Sequence, residues 1–204
     1  ASAGTLTVTG AKLTSLAISG TGSTGLTLVD GSTTDTIKTL SVATSAATVA
    51  DVAGATALTT VTSTGVGGLS LNGAGAKLAS VTTGEGADSI RIATATVKDD
   101  TTTTVDETVN ASVNTGAGAD SIRVSTSGAG LASVAGGEGN DTVFITSVGT
   151  GATTVDAGAG NDSLRDSPTN GDTANDTGLG GQVPGNYCTW NPLNKGSNLT
   201  ISNG

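Results

Sequence analysis

Apolar and small polar residues alternate in short runs along most of this chain, and the runs fall into two sets. One set holds Leu6/Val8, Leu26/Leu28, Leu69/Leu71, Ile90/Ile92, Ile122/Val124 and Val143/Ile145, with a looser unit near Val49; the other holds Leu58/Val61, Leu78/Val81 and Leu131/Val134. A period of two sends alternate side chains to opposite faces, so each run predicts a short strand with one apolar face. Members of the two sets follow one another by about ten residues, with glycine-rich stretches between them. Two strands and two corners in about 21 residues describe one coil of a β-solenoid, in which each coil buries its apolar side chains against the next. The expected fold class is therefore all-β, a β-solenoid or β-roll with an irregular C-terminal tail. Eight coils at a strand spacing of about 4.7 Å would build a rod roughly 38 Å long.

The repeat becomes explicit in the second half of the chain. Four segments align without gaps: T-G-E-G-A-D-S-I-R from Thr83 to Arg91, T-G-A-G-A-D-S-I-R from Thr115 to Arg123, G-G-E-G-N-D-T-V-F from Gly136 to Phe144 and A-G-A-G-N-D-S-L-R from Ala157 to Arg165. Their aspartates are Asp88, Asp120, Asp141 and Asp162; the last two intervals are each one period, and the first is about one and a half. Residues 93–110 supply the excess. Lys98-Asp99-Asp100 and Asp106-Glu107 flank a threonine run there, which predicts an inserted hairpin. Its four carboxylates are either a solvated surface or ligands for a calcium ion at a contact with a second subunit.

Composition fits a thin interior. Aromatic residues are 1% of the chain and methionine is absent, while glycine occurs 32 times. Val, Leu, Ile and Ala have to meet across a narrow core, which disfavours a wide helical bundle. A charged fraction of 12% and a mean hydropathy of +0.08 separate the chain from strongly polar disordered sequences. Histidine is absent and Cys188 is the single cysteine, which removes the usual general base, the commonest zinc ligands and any internal disulfide. No catalytic constellation remains, and an enzyme is not expected.

Charge narrows the partners. At −9 and a pI of about 4.1, the chain disfavours nucleic acid and anionic membrane surfaces and favours divalent cations. No apolar run approaches the roughly 18 residues of a membrane span, so no membrane insertion is expected. Residues 1–80 balance Asp30, Asp35 and Asp51 against Lys12, Lys38 and Lys77. The other 14 acids lie between Glu85 and Asp176 and face only Arg91, Lys98, Arg123 and Arg165, a local net charge of −10. Carboxylates on adjacent coils of such a stretch need a counterion or wide separation in water.

On these residues the chain resembles the RTX β-roll family, whose nonapeptide has the form G-G-x-G-x-D-x-U-x, with U a large apolar residue. Ile90, Ile122, Val143 and Leu164 occupy the U place. The resemblance implies calcium (Ca2+) as cofactor, held by the carboxylates of Asp88, Asp120, Asp141 and Asp162. The corner carbonyls of Gly84, Gly86, Gly116, Gly118, Gly137, Gly139, Gly158 and Gly160 would complete the ligand set. About three ions between stacked corners would set roughly six positive charges against the local excess of acid. The chain departs from that family in two ways. A complete roll carries a nonapeptide on each side of a coil of about 18 residues, whereas this chain has one per period and so one row of sites. The first glycine of the motif survives only at Gly136, with Thr83, Thr115 and Ala157 elsewhere, which puts the ligand count at three corners in question. Turn chemistry without metal, each aspartate capping its own backbone, is the alternative.

The composition around the motif is similar to that of the RTX-bearing surface-layer proteins of Gram-negative bacteria, secreted proteins that tile the cell surface as a calcium-dependent lattice. That resemblance implies a secreted, extracellular or cell-surface structural protein that assembles with copies of itself. A calcium-dependent adhesin or ice-binding module, and the accessory roll of a secreted enzyme, are the other classes open at this point. The expected organisation is neutral coils over 1–82, motif-bearing coils over 83–165 with the hairpin at 93–110, and a linker and tail over 166–204.

Strand alternation also places Arg91, Arg123 and Arg165 in one outward column, interrupted by Phe144. Such a column is either a solvated strip or a dock for a neighbouring subunit or an anionic cell-surface glycan. The tail holds Pro168, Pro184 and Pro192 with Tyr187, Cys188 and Trp190, and Leu199-Thr200-Ile201 reads as a last strand. It either caps the roll or reaches a neighbouring copy, while the strand pattern at Gly4–Val8 predicts an open edge at the other end.

Overall fold

The structure is a computed structural model that describes residues 2–8, 12–22, 24–30, 36–73, 77–93, 96–97, 107–108, 110–126, 131–147, 153–166 and 174–175. Its strands are numbered in chain order. One sheet runs β1 (Ser2–Val8), β3 (Thr24–Asp30), β5 (Thr48–Gly54), β7 (Leu69–Asn72), β9 (Ser89–Ala93), β13 (Ser121–Thr126), β15 (Thr142–Ser147) and β17 (Ser163–Asp166). The other runs β2 (Ser15–Gly20), β4 (Thr39–Thr44), β6 (Thr60–Ser63), β8 (Ser80–Thr82), β12 (Ala111–Asn114), β14 (Ala132–Ala135), β16 (Thr153–Asp156) and β18 (Ala174–Asn175). Every pairing within these two sheets is parallel. A chain that alternates between two parallel sheets, moving one place along each at every pass, is a β-solenoid, and the expected all-β architecture is the one observed.

The register carries the repeat. Ser121 pairs with Thr142 and Thr142 with Ser163, while Ala111 pairs with Ala132 and Ala132 with Thr153, every step being the same single period. Nearer the start the coils vary: Thr24 pairs with Thr48, a longer step with a register slip between Thr27 and Val29, and Ser70 pairs with Ser89, a shorter one. The long step from Ser89 to Ser121 contains β10 (Thr96–Val97) and β11 (Glu107–Thr108), which pair antiparallel as a hairpin.

Inward side chains from both sheets form one core. Ile90, Ile92, Ile122, Val124, Val143 and Ile145 meet Val81, Val113, Val134 and Val155, all buried. Each such side chain contributes about 1.5–3 kcal/mol relative to exposure, and an aliphatic layer this thin has no place for large rings. Two residues expected inside face out instead. Val49 is 56% exposed and Leu131 is 47% exposed. Parity decides the first: Val49 pairs with the exposed Ser70, which leaves Ala50 and Val52 inside; Leu131 lies just before β14, which buries Ala132 and Val134. The expectations for Asp99, Asp100 and Asp106, for Tyr187, Cys188 and Trp190, and for residues 199–201 lie outside the described residues.

Candidate functional site

The four motif segments are the corners that lead into β9, β13, β15 and β17, and they stack. Glu85, Ala117, Glu138 and Ala159 pair in parallel register. The Ala117 N–H donates to the Gly84 carbonyl at 2.9 Å, that of Glu138 to Gly116 at 2.8 Å and that of Ala159 to Gly137 at 2.7 Å. In the other direction, the N–H groups of Gly118 and Gly139 donate to the carbonyls of Glu138 and Ala159 at 2.8 Å. Stacking this close dictates glycine. A Cβ on Gly139, where φ is +131°, would lie 1.6 Å from the Gly118 carbonyl oxygen, and one on Gly137 would lie 1.8 Å from that of Gly116.

The aspartates stack in the same way, and each serves the coil before its own. Asp88 Oδ1 accepts from the Leu69 N–H at 2.6 Å and Asp120 Oδ1 from the Asp88 N–H at 2.8 Å. Asp141 Oδ1 accepts from Asp120 N–H and Asp162 Oδ1 from Asp141 N–H, both at 2.9 Å. The carbonyls of Asp88, Asp120 and Asp141 meanwhile accept from Ser121, Thr142 and Ser163 at 2.8 Å. One carboxylate oxygen thus takes the place of a backbone carbonyl in the inter-coil ladder. Capping of the residue's own backbone is not what these side chains do.

The second oxygens are in a different position. Asp88, Asp120 and Asp141 are buried, with relative exposures of 3%, 2% and 1%, and Asp162 is half-buried. Among the described residues, Asp120 Oδ2 and Asp141 Oδ2 are buried without a hydrogen-bond partner. Asp88 Oδ2 receives the Thr83 hydroxyl, whose single hydrogen the Thr115 carbonyl also claims at 2.9 Å. The Thr115 hydroxyl donates to the Gly136 carbonyl at 2.7 Å. At the third corner a Cβ on Gly136 would lie 2.6 Å from Asp141 Oδ2, so the carboxylate fills the space a side chain there would need.

Burial sets the electrostatics. It pushes the Asp88 carboxyl up from 3.8 to about 6, with the Asp120 charge adding to the rise and the Leu69 N–H and Thr83 hydroxyl opposing it. Burial likewise raises Asp120, against the pull of the Asp88 N–H and of the nearby Thr115 hydroxyl, whose hydrogen is directed to the Gly136 carbonyl, and it raises Asp141, against the Asp120 N–H and with the Asp120 and Asp162 charges adding to the rise. A buried carboxylate oxygen without a donor is relieved either by a proton or by a cation. The two orphaned oxygens fit a hard cation in that sense. Among the described residues no three carboxylate or thiolate side chains converge on one point, so an ion here would take most of its six to eight oxygens from carbonyls.

All four predicted aspartates and the eight predicted glycines come together in this one column. The corner before β7, Thr64-Gly65-Val66-Gly67-Gly68-Leu69, shares its build: Leu69 stands one place before Ser70 as Asp88 stands before Ser89, and Ser70 and Ser89 are paired. A Cβ on Gly65 would lie 1.8 Å from the Thr44 carbonyl oxygen. Glycine therefore belongs to stacking, and aspartate is the feature added in the acidic half. Thr83 and Thr115 read in the sequence as losses of the motif glycine, whereas their hydroxyls donate to the Asp88 carboxylate and the Gly136 carbonyl. Comparison with known proteins gave no matching family model, curated protein or solved structure.

Proposed function

We propose that this chain is a structural, secreted protein of a cell surface or extracellular matrix, whose β-solenoid is stabilised by calcium at its Gly-Asp corners and which assembles with copies of itself. The observation that carries the reading is the pair of buried, unpartnered Oδ2 oxygens on Asp120 and Asp141, whose Oδ1 atoms are already committed to the inter-coil ladder. Bound calcium would supply positive charge at these oxygens. Asp88, Asp120, Asp141 and Asp162 would hold it, with oxygens from the corner carbonyls of Gly84, Gly86, Gly116, Gly118, Gly137, Gly139, Gly158 and Gly160. What the residues themselves do is fix the corner: Oδ1 locks each coil to its neighbour and the glycines allow the contact.

Electron microscopy of the protein with calcium and with chelator tests the reading. Sheets or filaments that form with calcium are expected; dispersed single particles in both conditions would overturn it.

A second reading, an adhesin or ice-binding module, has one observation in its favour. Ser15, Thr39, Thr60, Ser80, Ser112, Ser133 and Thr154 are paired strand to strand, one hydroxyl column along the second sheet. Inhibition of ice recrystallisation by the dispersed protein would favour that class.

A further inference from the structure

The first sheet carries a second ordered column on its outer face. Asn72 pairs with Arg91, Arg91 with Arg123, Arg123 with Phe144 and Phe144 with Arg165. The three arginines are exposed and Phe144 is half-buried. Three of the chain's eight basic side chains therefore stand within three strand spacings, about 14 Å along the solenoid axis. Among the described residues none of the three guanidinium groups forms an ion pair. Arg123 lies over the Phe144 ring at 4.9 Å from its centroid, a cation–π contact along the column.

The outward residues that flank the strip along its strands are uncharged. On one side runs a column of Ser89, Ser121, Thr142 and Ser163, and on the other Ala93 and Ser125, none of them charged. The nearest acid in the column itself is Asp51, paired with Asn72 two strands from Arg91, and its carboxylate accepts from the Ala53 N–H. Arginines in a row beside hydroxyls and an aromatic ring are not required by the solenoid, whose outward places elsewhere take mostly Ser, Thr, Asn and Ala.

We propose that this strip, Arg91-Arg123-Phe144-Arg165 with the adjoining hydroxyl column, binds a linear acidic polysaccharide laid along the solenoid axis. The guanidinium forks match carboxylate or sulfate groups carried at regular intervals. Ser89, Ser121, Thr142 and Ser163 offer hydroxyls to those of the sugars, and Phe144 offers an apolar surface to the C–H face of a ring. Nucleic acid fits less well, because three cations offset little of its charge and the rest of the chain repels it. The inference goes beyond the calcium reading and does not depend on it, since no residue is shared between the strip and the aspartate column.

Binding of the full chain to immobilised polygalacturonate at low salt tests this, with neutral dextran as the control surface and polyglutamate as a soluble competitor. The variant Arg91→Gln/Arg123→Gln/Arg165→Gln is expected to bind about tenfold more weakly or worse, the sum of three exposed ion pairs. The corresponding triple lysine variant should recover part of the loss, and circular dichroism of both should match wild type because the side chains are exposed. Calcium bridging between acids of the two molecules would survive the glutamine variant, so equal binding by variant and wild type overturns the proposal. Equal retention on dextran, or polyglutamate competing as well as soluble polygalacturonate, overturns it too. Failure of the calcium reading would change neither the variant comparison nor its outcome.

Discussion

At Asp141 the two carboxylate oxygens have separate roles, and two substitutions separate them. Asp141→Asn keeps an Oδ1 acceptor for the Asp120 N–H and removes the buried charge, whereas Asp141→Ala leaves that N–H unpaired. The alanine variant should lose about 1–3 kcal/mol in denaturant unfolding at any calcium concentration. The asparagine variant should match or exceed wild type in chelator and lose its response to calcium; an undiminished response would remove Asp141 from the metal's ligands. Gly139→Ala tests the stacking in turn. It sets a Cβ against the Gly118 carbonyl at a positive φ, and melting should show a loss of at least about 2 kcal/mol. The phase of the aspartates was legible in the sequence because a fixed period exposes it. Their partner was not, since a carboxylate at a corner reads equally well as a cap on its own turn or a clamp on the next coil. Thr83 and Thr115 were hidden for a similar reason: only the stacked geometry brings their hydroxyls to Asp88 and Gly136.

Strands and the hairpin between them were read from period and parity, and the exception at Val49 follows from parity. In β5 both Val49 and its neighbours Ala50 and Val52 are apolar, so the sequence allows either face to be inner; pairing of Val49 with Ser70 selects one. Leu131 lies just before β14, whose inner places go to Ala132 and Val134, and it is exposed although Leu58 and Leu78 at the corresponding places of other coils are buried. The hairpin was legible as an excess of about half a period between Asp88 and Asp120. Since β10 and β11 pair only with each other among the described residues, removing residues 97–107 would bring the step from Ser89 to Ser121 back to the single period that separates Ser121 from Thr142. That deletion should shift stability by less than about 1 kcal/mol, because loop length enters chain entropy only logarithmically. A cooperative melt close to wild type is the expected measurement, and a collapsed one would make the hairpin part of the fold.

The molecule as a whole is a neutral solenoid continued by an acidic one, and its pH dependence should report the aspartate column. Asp88 is raised to about 6 and Asp120 and Asp141 are also raised, so in chelator their contribution to stability is present below about pH 4 and is lost as pH climbs through their raised values, about 6 for Asp88. The metal-free protein should therefore melt higher near pH 4.5 than near pH 7.5. Calcium binds the deprotonated carboxylates, and saturating calcium should reverse that order. Thermal unfolding followed by circular dichroism near pH 7.5, in chelator and in millimolar calcium, is the most direct test of the central claim. An ion held at the column in large excess over its dissociation constant adds about 2.7 kcal/mol or more, which for a chain of this size is a rise of roughly 5–10 °C. Wild type should show that rise and Asp120→Asn/Asp141→Asn should show little of it; superimposable wild-type melts in chelator and calcium would contradict the account and leave the column as a hydrogen-bonded clamp alone.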